Sequence, residues 1–300
     1  MAASIDEIVS RIPEWAADPD LRVTPLGGGI TNRNFRVDGR GGSFVLRVAG
    51  EGSELLGIDR EAEYAATRAA AAVGIAPEVV HFLRPEGYLV TRFIDGRPIP
   101  EADIGRPETI RRVVEALRKV HGMPAIPGVF SAFDVVRSYA ETARRRRAVF
   151  PPAFMRLQAA LDEVETQLPP IRPRPCHNDL LNANFLDDGD IRILDWEYAG
   201  MGDVFFDLAN FSRNHNFDRQ QDRFLLQVYA GQAASGRMAR LQLMRVASDM
   251  REAMWGLLQS AVSTLDFDFR GYAEKHFQRA AQGIGDRQWK TWIEEAAHGA

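Results

Sequence analysis

The sequence predicts an α+β chain: a small antiparallel unit of five strands followed by a mostly helical unit. Three observations predict it. Between residues 22 and 93, short β-prone runs alternate with glycine turns. That stretch holds one helical pattern, 58–73, rich in alanine and closed by Gly74. From Pro107 onward apolar residues recur at helical spacing almost to the end of the chain. With 300 residues and 45% hydrophobic content the chain can bury a sizeable core. The expected division is 1–94 and 95–300.

Residues 4–17 alternate helix formers with apolar positions and predict a short leading helix. Residues 22–26 read as a strand, and 34–37 as its return, around Gly27-Gly28-Gly29-Ile30-Thr31-Asn32. A third strand, 43–48, follows the Gly41-Gly42 turn and carries Arg47. After the 58–73 helix come strands at 78–83 and 87–93, the last running into Ile94-Asp95-Gly96. Glycines between two strands let backbone N–H groups approach an anion, and Thr31 and Asn32 add side-chain donors. The same glycines also suit a plain hairpin turn.

Helices are expected at 109–121, 133–148 and 153–168, the last two separated by Pro151-Pro152, then from 203, and at 219–234, 237–265 and 271–284. The run Arg144-Arg145-Arg146-Arg147 points in four directions on a helix and reads as a solvated helix end.

Composition excludes several classes. A net charge of -4 argues against a duplex nucleic-acid binder and leaves a small-molecule partner. No run approaches the roughly 18 apolar residues of a membrane span, and the N-terminal MAASIDEIVS lacks the basic-then-apolar layout of a signal peptide, so a cytoplasmic location is expected. Cys176 is the sole cysteine, which excludes an internal disulfide. Oligomeric state is left open, a homodimer included.

The chemistry concentrates in CHNDLLNANFLDDGDIRILDWEYAGMGDVFFDLAN, residues 176–210. Asn184 follows Asp179 by five residues, and two short strands around Asp187-Asp188-Gly189-Asp190 bring Asp195 near Asn184. Two carboxylates and an amide oxygen are hard ligands, the kind that hold Mg²⁺ alongside substrate phosphates. Asp179 has no cation beside it in sequence and can accept a proton, as phosphoryl transfer to a hydroxyl requires.

The order H-x-D-x-x-x-x-N followed by an Asp at a strand end resembles the catalytic core of the protein-kinase-like superfamily. More narrowly, HNDLLNAN with LDWEYAGMGDVFFDLAN resembles the choline/ethanolamine kinase branch of the aminoglycoside phosphotransferase family. That resemblance spans nearly the whole chain. It implies a two-lobed protein-kinase-like fold that uses ATP and Mg²⁺. Asp179 would take the hydroxyl proton, Asn184 and Asp195 would hold the metal, and His177 would brace the loop. GGGITNRNF resembles the family's phosphate loop, which assigns Gly28, Gly29, Thr31 and Asn32 to the nucleotide. Arg47 stands where kinases carry a phosphate-contacting lysine; the only three lysines here are Lys119, Lys275 and Lys290. Glu63 is its expected helix partner, with Glu61 as the fallback. The strand ending at Asp95-Gly96 resembles the adenine-holding hinge, and Asp207 is expected to brace the catalytic loop.

The catalytic core does not name the alcohol acceptor. Met250-Arg251-Glu252-Ala253-Met254-Trp255-Gly256-Leu257-Leu258 resembles the choline-kinase segment whose tryptophan walls an ammonium pocket. Phe269 and Tyr272 match aromatic positions in the next helix. Glu197, two residues after Asp195, could face either the metal or a cationic substrate; facing the substrate, it would form with them an aromatic and acidic cage for a cationic amino alcohol, choline or ethanolamine. Leu258 stands where animal choline kinases carry a second tryptophan, which favours looking beyond choline itself. Rival acceptors are an aminoglycoside, thiamine, a sugar or homoserine; the rival from another class is a non-catalytic nucleotide-binding module.

Overall fold

The computed structural model describes residues 4–27, 32–50 and 52–299, the side chain of Ser53 excepted. Two short helices lead, α1 (Ile5–Ser10) and α2 (Pro13–Ala16). The single leading helix expected from sequence is broken because Pro13 disfavours helical backbone in the residue before it, and Ile12 is extended. Ser4 and Glu7 close a reciprocal capping box at the start of α1.

Strands β1 (Arg22–Leu26), β2 (Asn32–Gly39) and β3 (Gly42–Ala49) are followed by α3 (Arg60–Ala72), β4 (Val79–Leu83) and β5 (Tyr88–Arg92). They form an antiparallel five-stranded sheet in the order β1-β2-β3-β5-β4. Its alternating pattern puts Phe35, Val37, Phe44, Leu46, Val48, Tyr88 and Val90 on one face, where α1, α2 and the turn between them add Ile8, Trp15 and Ile12. Asp59 caps α3 by accepting the Glu61 and Ala62 amides, and Gly74 ends it with φ 72.

The remainder is mainly helical, as expected. In chain order it contains β6 (Arg97–Pro98), α4 (Glu101–Ile104), α5 (Pro107–His121), α6 (Ala132–Arg145), α7 (Phe154–Gln167) and β7 (Arg174–Cys176). Then come β8 (Phe185–Asp187), β9 (Ile191–Ile193), β10 (Gly200–Gly202), α8 (Val204–Asn214), α9 (Arg219–Ala230), α10 (Ser235–Val262), α11 (Phe269–Ile284) and α12 (Trp289–His298). Small sheets β6-β8-β9 and β10-β7 hold the central hairpin and the strand before it. The helices expected from sequence end with α11, so α12 is an addition.

Helix α10 is the axis of this part: 28 residues long, it packs against α6, α8, α11 and α12, and its middle is buried all round. Gly256 permits the closest approach. A Cβ there would lie 3.0–3.1 Å from Tyr272, Ala273 and Phe269 of α11. On α3, Ala66 and Ala70 join the large helical core rather than the one beneath the sheet. No helix among the described residues is long and apolar enough to cross a membrane.

Candidate active site

The loop after β7 is fixed from below by α8. Asp207, fully buried, accepts the backbone N–H groups of His177 (2.9 Å) and Asn178 (2.7 Å), and meets His121 Nε2 at 2.9 Å. One turn on, Asn210 Oδ1 accepts the Leu180 amide at 2.6 Å. These bonds hold Asn178 in left-handed backbone, φ 67, with its amide donating to Tyr198 O at 3.0 Å. His177 Nε2 donates to Leu194 O (2.9 Å), which leaves Nδ1 to accept the Asp179 amide (3.2 Å). Burial lowers the His177 pKa, in keeping with a neutral ring. His177 therefore ties the loop to the β9 end.

Asp179 emerges from this loop almost buried. Asn184 Nδ2 donates to Asp179 O at 2.8 Å. The Asn184 backbone carbonyl accepts the Leu194 amide, also at 2.8 Å. The Asn184 amide oxygen is thus the atom it presents. Asp195, at the end of β9, is held at φ 62, and its partly open carboxylate pairs with Arg47 of β3. Burial pushes the Asp179 carboxyl up to about 7; Arg251 opposes this, and the charges of Glu252, Asp195 and Glu197 reinforce it.

The sheet and α3 supply the other side. Arg47 pairs with Glu63 and with Asp195, so Glu63 rather than the fallback Glu61 is its partner; Glu61 lies on the surface with Arg84 (2.6 Å). Arg60 bridges Glu63 (2.7 Å) and Glu197 (3.1 Å), and its Nη2 donates to Asn32 Oδ1 at 3.2 Å. Asn32 in turn donates to Glu197 at 2.9 Å. Gly28, Gly29 and Thr31 lie outside the described residues.

Glu197, expected with the aromatic residues, is ion-paired on the sheet side of the site. A buried carboxylate requires a counter-charge, and Arg60 with Asn32 supplies it on the sheet side of the site. Asp179, which has no cation near it in sequence, meets one in space: Arg251 of α10 donates from Nη1 to Asp179 Oδ1 at 3.2 Å. The same nitrogen lies 2.5 Å from Glu252 Oε1, and the guanidinium carbon sits 4.2 Å from the centre of the Tyr198 ring. Arg251 Nε and Nη2 are buried with no hydrogen-bond partner among the described residues.

Glu252 also accepts the Tyr272 hydroxyl at 2.6 Å. Trp255 packs edge-to-face on Tyr272 (5.5 Å) and Phe269 (5.7 Å), so the three aromatic residues picked from sequence do assemble, with Glu252 as their carboxylate. Sequence reasoning missed Arg60, Arg251, Glu252 and His121. The available signal for Arg251 and Glu252 was a cluster of charges, with Asp249, inside a mostly apolar helical run.

The donor set suits a hard cation: the presented Asn184 amide oxygen and the partly open Asp195 carboxylate are oxygen ligands of the Mg²⁺ type. A second group, His121, Cys176 and Asp207, brings possible ligand atoms within 4.8 Å of one another. Its chemistry argues against a metal. His121 Nδ1 is engaged by Tyr229 (2.7 Å), Asp207 by the loop, and burial pushes the Cys176 thiol well up, away from thiolate.

Comparison with known proteins gives the same direction. A chain described as a choline/ethanolamine kinase family protein from Mesorhizobium loti superposes with a TM-score of 0.83 at 30% identity, covering 97% of each chain. Protein LicA of Haemophilus influenzae is 26% identical over 84% of this chain and 77% of its own length. Ethanolamine kinase 2 of Rattus norvegicus is 28% identical over 89% of this chain and 77% of its own. The model of the phosphotransferase enzyme family matches residues 22–243. With the braced Asp179 loop and its Asn184–Asp195 oxygen donors in place, the chain belongs to the phosphotransferase enzyme family.

Proposed function

We propose that this protein transfers the γ-phosphoryl group of ATP to the hydroxyl of a small cationic amino alcohol, choline or ethanolamine. The observation that carries the reading is the arrangement around Asp179. A carboxylate on a rigidly braced loop stands beside Asn184, while the Arg47–Glu63 pair reaches Asp195 from the sheet. The names of the relatives from Mesorhizobium loti and Rattus norvegicus support the acceptor class.

In this reading residues 1–94 cover the nucleotide and 95–300 carry the chemistry. The 28–32 loop and Arg47 bind the phosphates, and Glu63 orients Arg47. Asn184 and Asp195 would hold Mg²⁺, which when bound neutralises charge on the transferred group. Asp179 accepts a hydrogen bond from the acceptor hydroxyl and orients its oxygen toward the γ-phosphorus. As that P–O bond forms and the bond to the β-phosphate bridging oxygen breaks, the hydroxyl proton passes to Asp179 and ADP leaves. The Asp207 brace keeps the carboxylate in place throughout.

The test is ADP formation with Mg-ATP and choline, ethanolamine, thiamine, homoserine or an aminoglycoside, with Asp179→Ala as control. Turnover on an amino alcohol that falls by about 10³-fold or more in the variant is expected. Turnover confined to another acceptor, or unaffected by the substitution, overturns the reading.

A further inference from the structure

We infer that Glu252 is a specificity-determining residue that selects an acceptor whose ammonium carries N–H groups, a primary amino alcohol, over a quaternary one. The inference rests on the amino-alcohol kinase reading and narrows its substrate.

Three observations carry it. First, Glu252 lies beside the catalytic carboxylate. Arg251 Nη1 is 3.2 Å from Asp179 Oδ1 and 2.5 Å from Glu252 Oε1, which keeps those oxygens less than about 6 Å apart. A two-carbon amino alcohol, built from bonds of about 1.5 Å, separates its oxygen and nitrogen by about 3–4 Å. Its hydroxyl can donate to Asp179 while its ammonium donates to Glu252.

Second, the charge balance suits a cation. The one positive charge of Arg251 is shared between the Glu252 and Asp179 carboxyl groups, and Tyr272 contributes a neutral hydroxyl donor to Glu252 at 2.6 Å. Burial pushes the Glu252 carboxyl up, but Arg251, His276 and the Tyr272 bond together outweigh it and the net direction is down, so the carboxylate stays ionised. Arg251 and Tyr272 occupy one site on each oxygen; a carboxylate has about four acceptor sites, which leaves capacity for ammonium N–H donors.

Third, the aromatic rings pack edge-on or tilted against one another. Trp255 meets Phe269 at 65° and Tyr272 at 72°, and Phe267 packs on Phe269 at 4.8 Å. A trimethylammonium group needs open aromatic faces, because it has no hydrogen to donate. At Leu258 the helix offers a fully buried aliphatic side chain instead of a further ring. A quaternary acceptor would bury methyl groups against Glu252 and leave its acceptor sites unpaired, which is the costlier mismatch.

The experiment is a methylation series. Steady-state kcat/KM is measured with Mg-ATP for ethanolamine, N-methylethanolamine, N,N-dimethylethanolamine and choline, first with the unmodified protein and then with Glu252→Gln and Tyr272→Phe. Expected is a fall along the series, with ethanolamine at least about tenfold above choline. Glu252→Gln should compress that ratio to within about threefold, chiefly by raising the ethanolamine KM, and Tyr272→Phe should change it less. Choline equal to or better than ethanolamine in the unmodified protein overturns the inference and leaves the kinase reading standing. No turnover anywhere in the series overturns the kinase reading itself. Should Glu252→Gln fail to fold by circular dichroism, the series with the unmodified protein and Tyr272→Phe still decides. A ratio unmoved in a folded Glu252→Gln variant removes Glu252 from the role.

Discussion

Asp207→Asn is the substitution that tests whether the catalytic loop is held by one buried carboxylate. Asp207 Oδ2 receives the His177 amide and faces His121 Nε2, while Oδ1 receives the Asn178 amide. An amide of the same shape has one oxygen, so it can serve one side only. At least one buried N–H is then left facing an NH₂ group, at about 1–3 kcal/mol, and the remaining bonds lose their charge assistance. The sum is about 3 kcal/mol of stability, a shift large enough to read in a urea melt. Asn178 at φ 67 no longer has both restraints, so the loop relaxes and Asp179 moves; a displacement of about 1 Å costs roughly 10²-fold in kcat. The pH dependence carries a sign. Burial pushes the Asp207 carboxyl up, but the bond and charge of His121 and the loop amides outweigh it, so its pKa lies below the usual carboxylate value. Its contribution is present above about pH 4 and is lost as pH falls through the depressed value, so the gap between the two proteins narrows in acid. A loss under about 1 kcal/mol at pH 7 together with kcat within threefold would refute the bracing argument.

Two further substitutions probe the sheet side and the hairpin. Glu63→Gln leaves Arg47 and Arg60 without their shared carboxylate, and the expected result is a rise of about tenfold in the KM for Mg-ATP with about 3 kcal/mol lost in a urea melt. A KM within twofold of the original would show that Arg47 needs no partner to meet the phosphates. Arg112→Met removes the two bonds, 2.6 and 2.7 Å, that hold the hairpin residue Asp187 to α5. Those bonds outweigh the opposing effect of burial and lower the Asp187 pKa to about 2. Both side chains are about a third exposed, so solvent screening limits the loss to under about 1 kcal/mol at pH 6. Because the pKa is depressed, the loss should shrink between pH 4 and pH 2; urea melts at pH 6 and pH 3 that differ equally would count against it.

What the sequence made legible is what short-range physics controls. Alternation and glycine turns located β1–β5, and the 3.6-residue period located the long helices. The break at Pro13 and helix α12 were also written locally, the second as Trp289, Trp292, Ile293 and Ala296 at the spacing of one helix face. The hairpin between Asn184 and Asp195 was legible for the same reason, since its turn chemistry lies within the segment it closes. The charge partners were not. Arg251 reaches Asp179 across 72 positions and Arg60 reaches Glu197 across 137, and no periodicity links residues so far apart. The sequence reading accordingly set Glu197, two residues after Asp195, beside the aromatic residues and did not weigh Glu252. Their partners are set in three dimensions: a buried carboxylate pairs with whichever cation the fold sets beside it. Glu197 falls to Arg60 on the sheet side and Glu252 to Arg251 beside the aromatic rings. The charge environment of Asp179 consequently turns on a pair of adjacent residues in α10, whose partners only the packing of α10 against α11 and the catalytic loop can name.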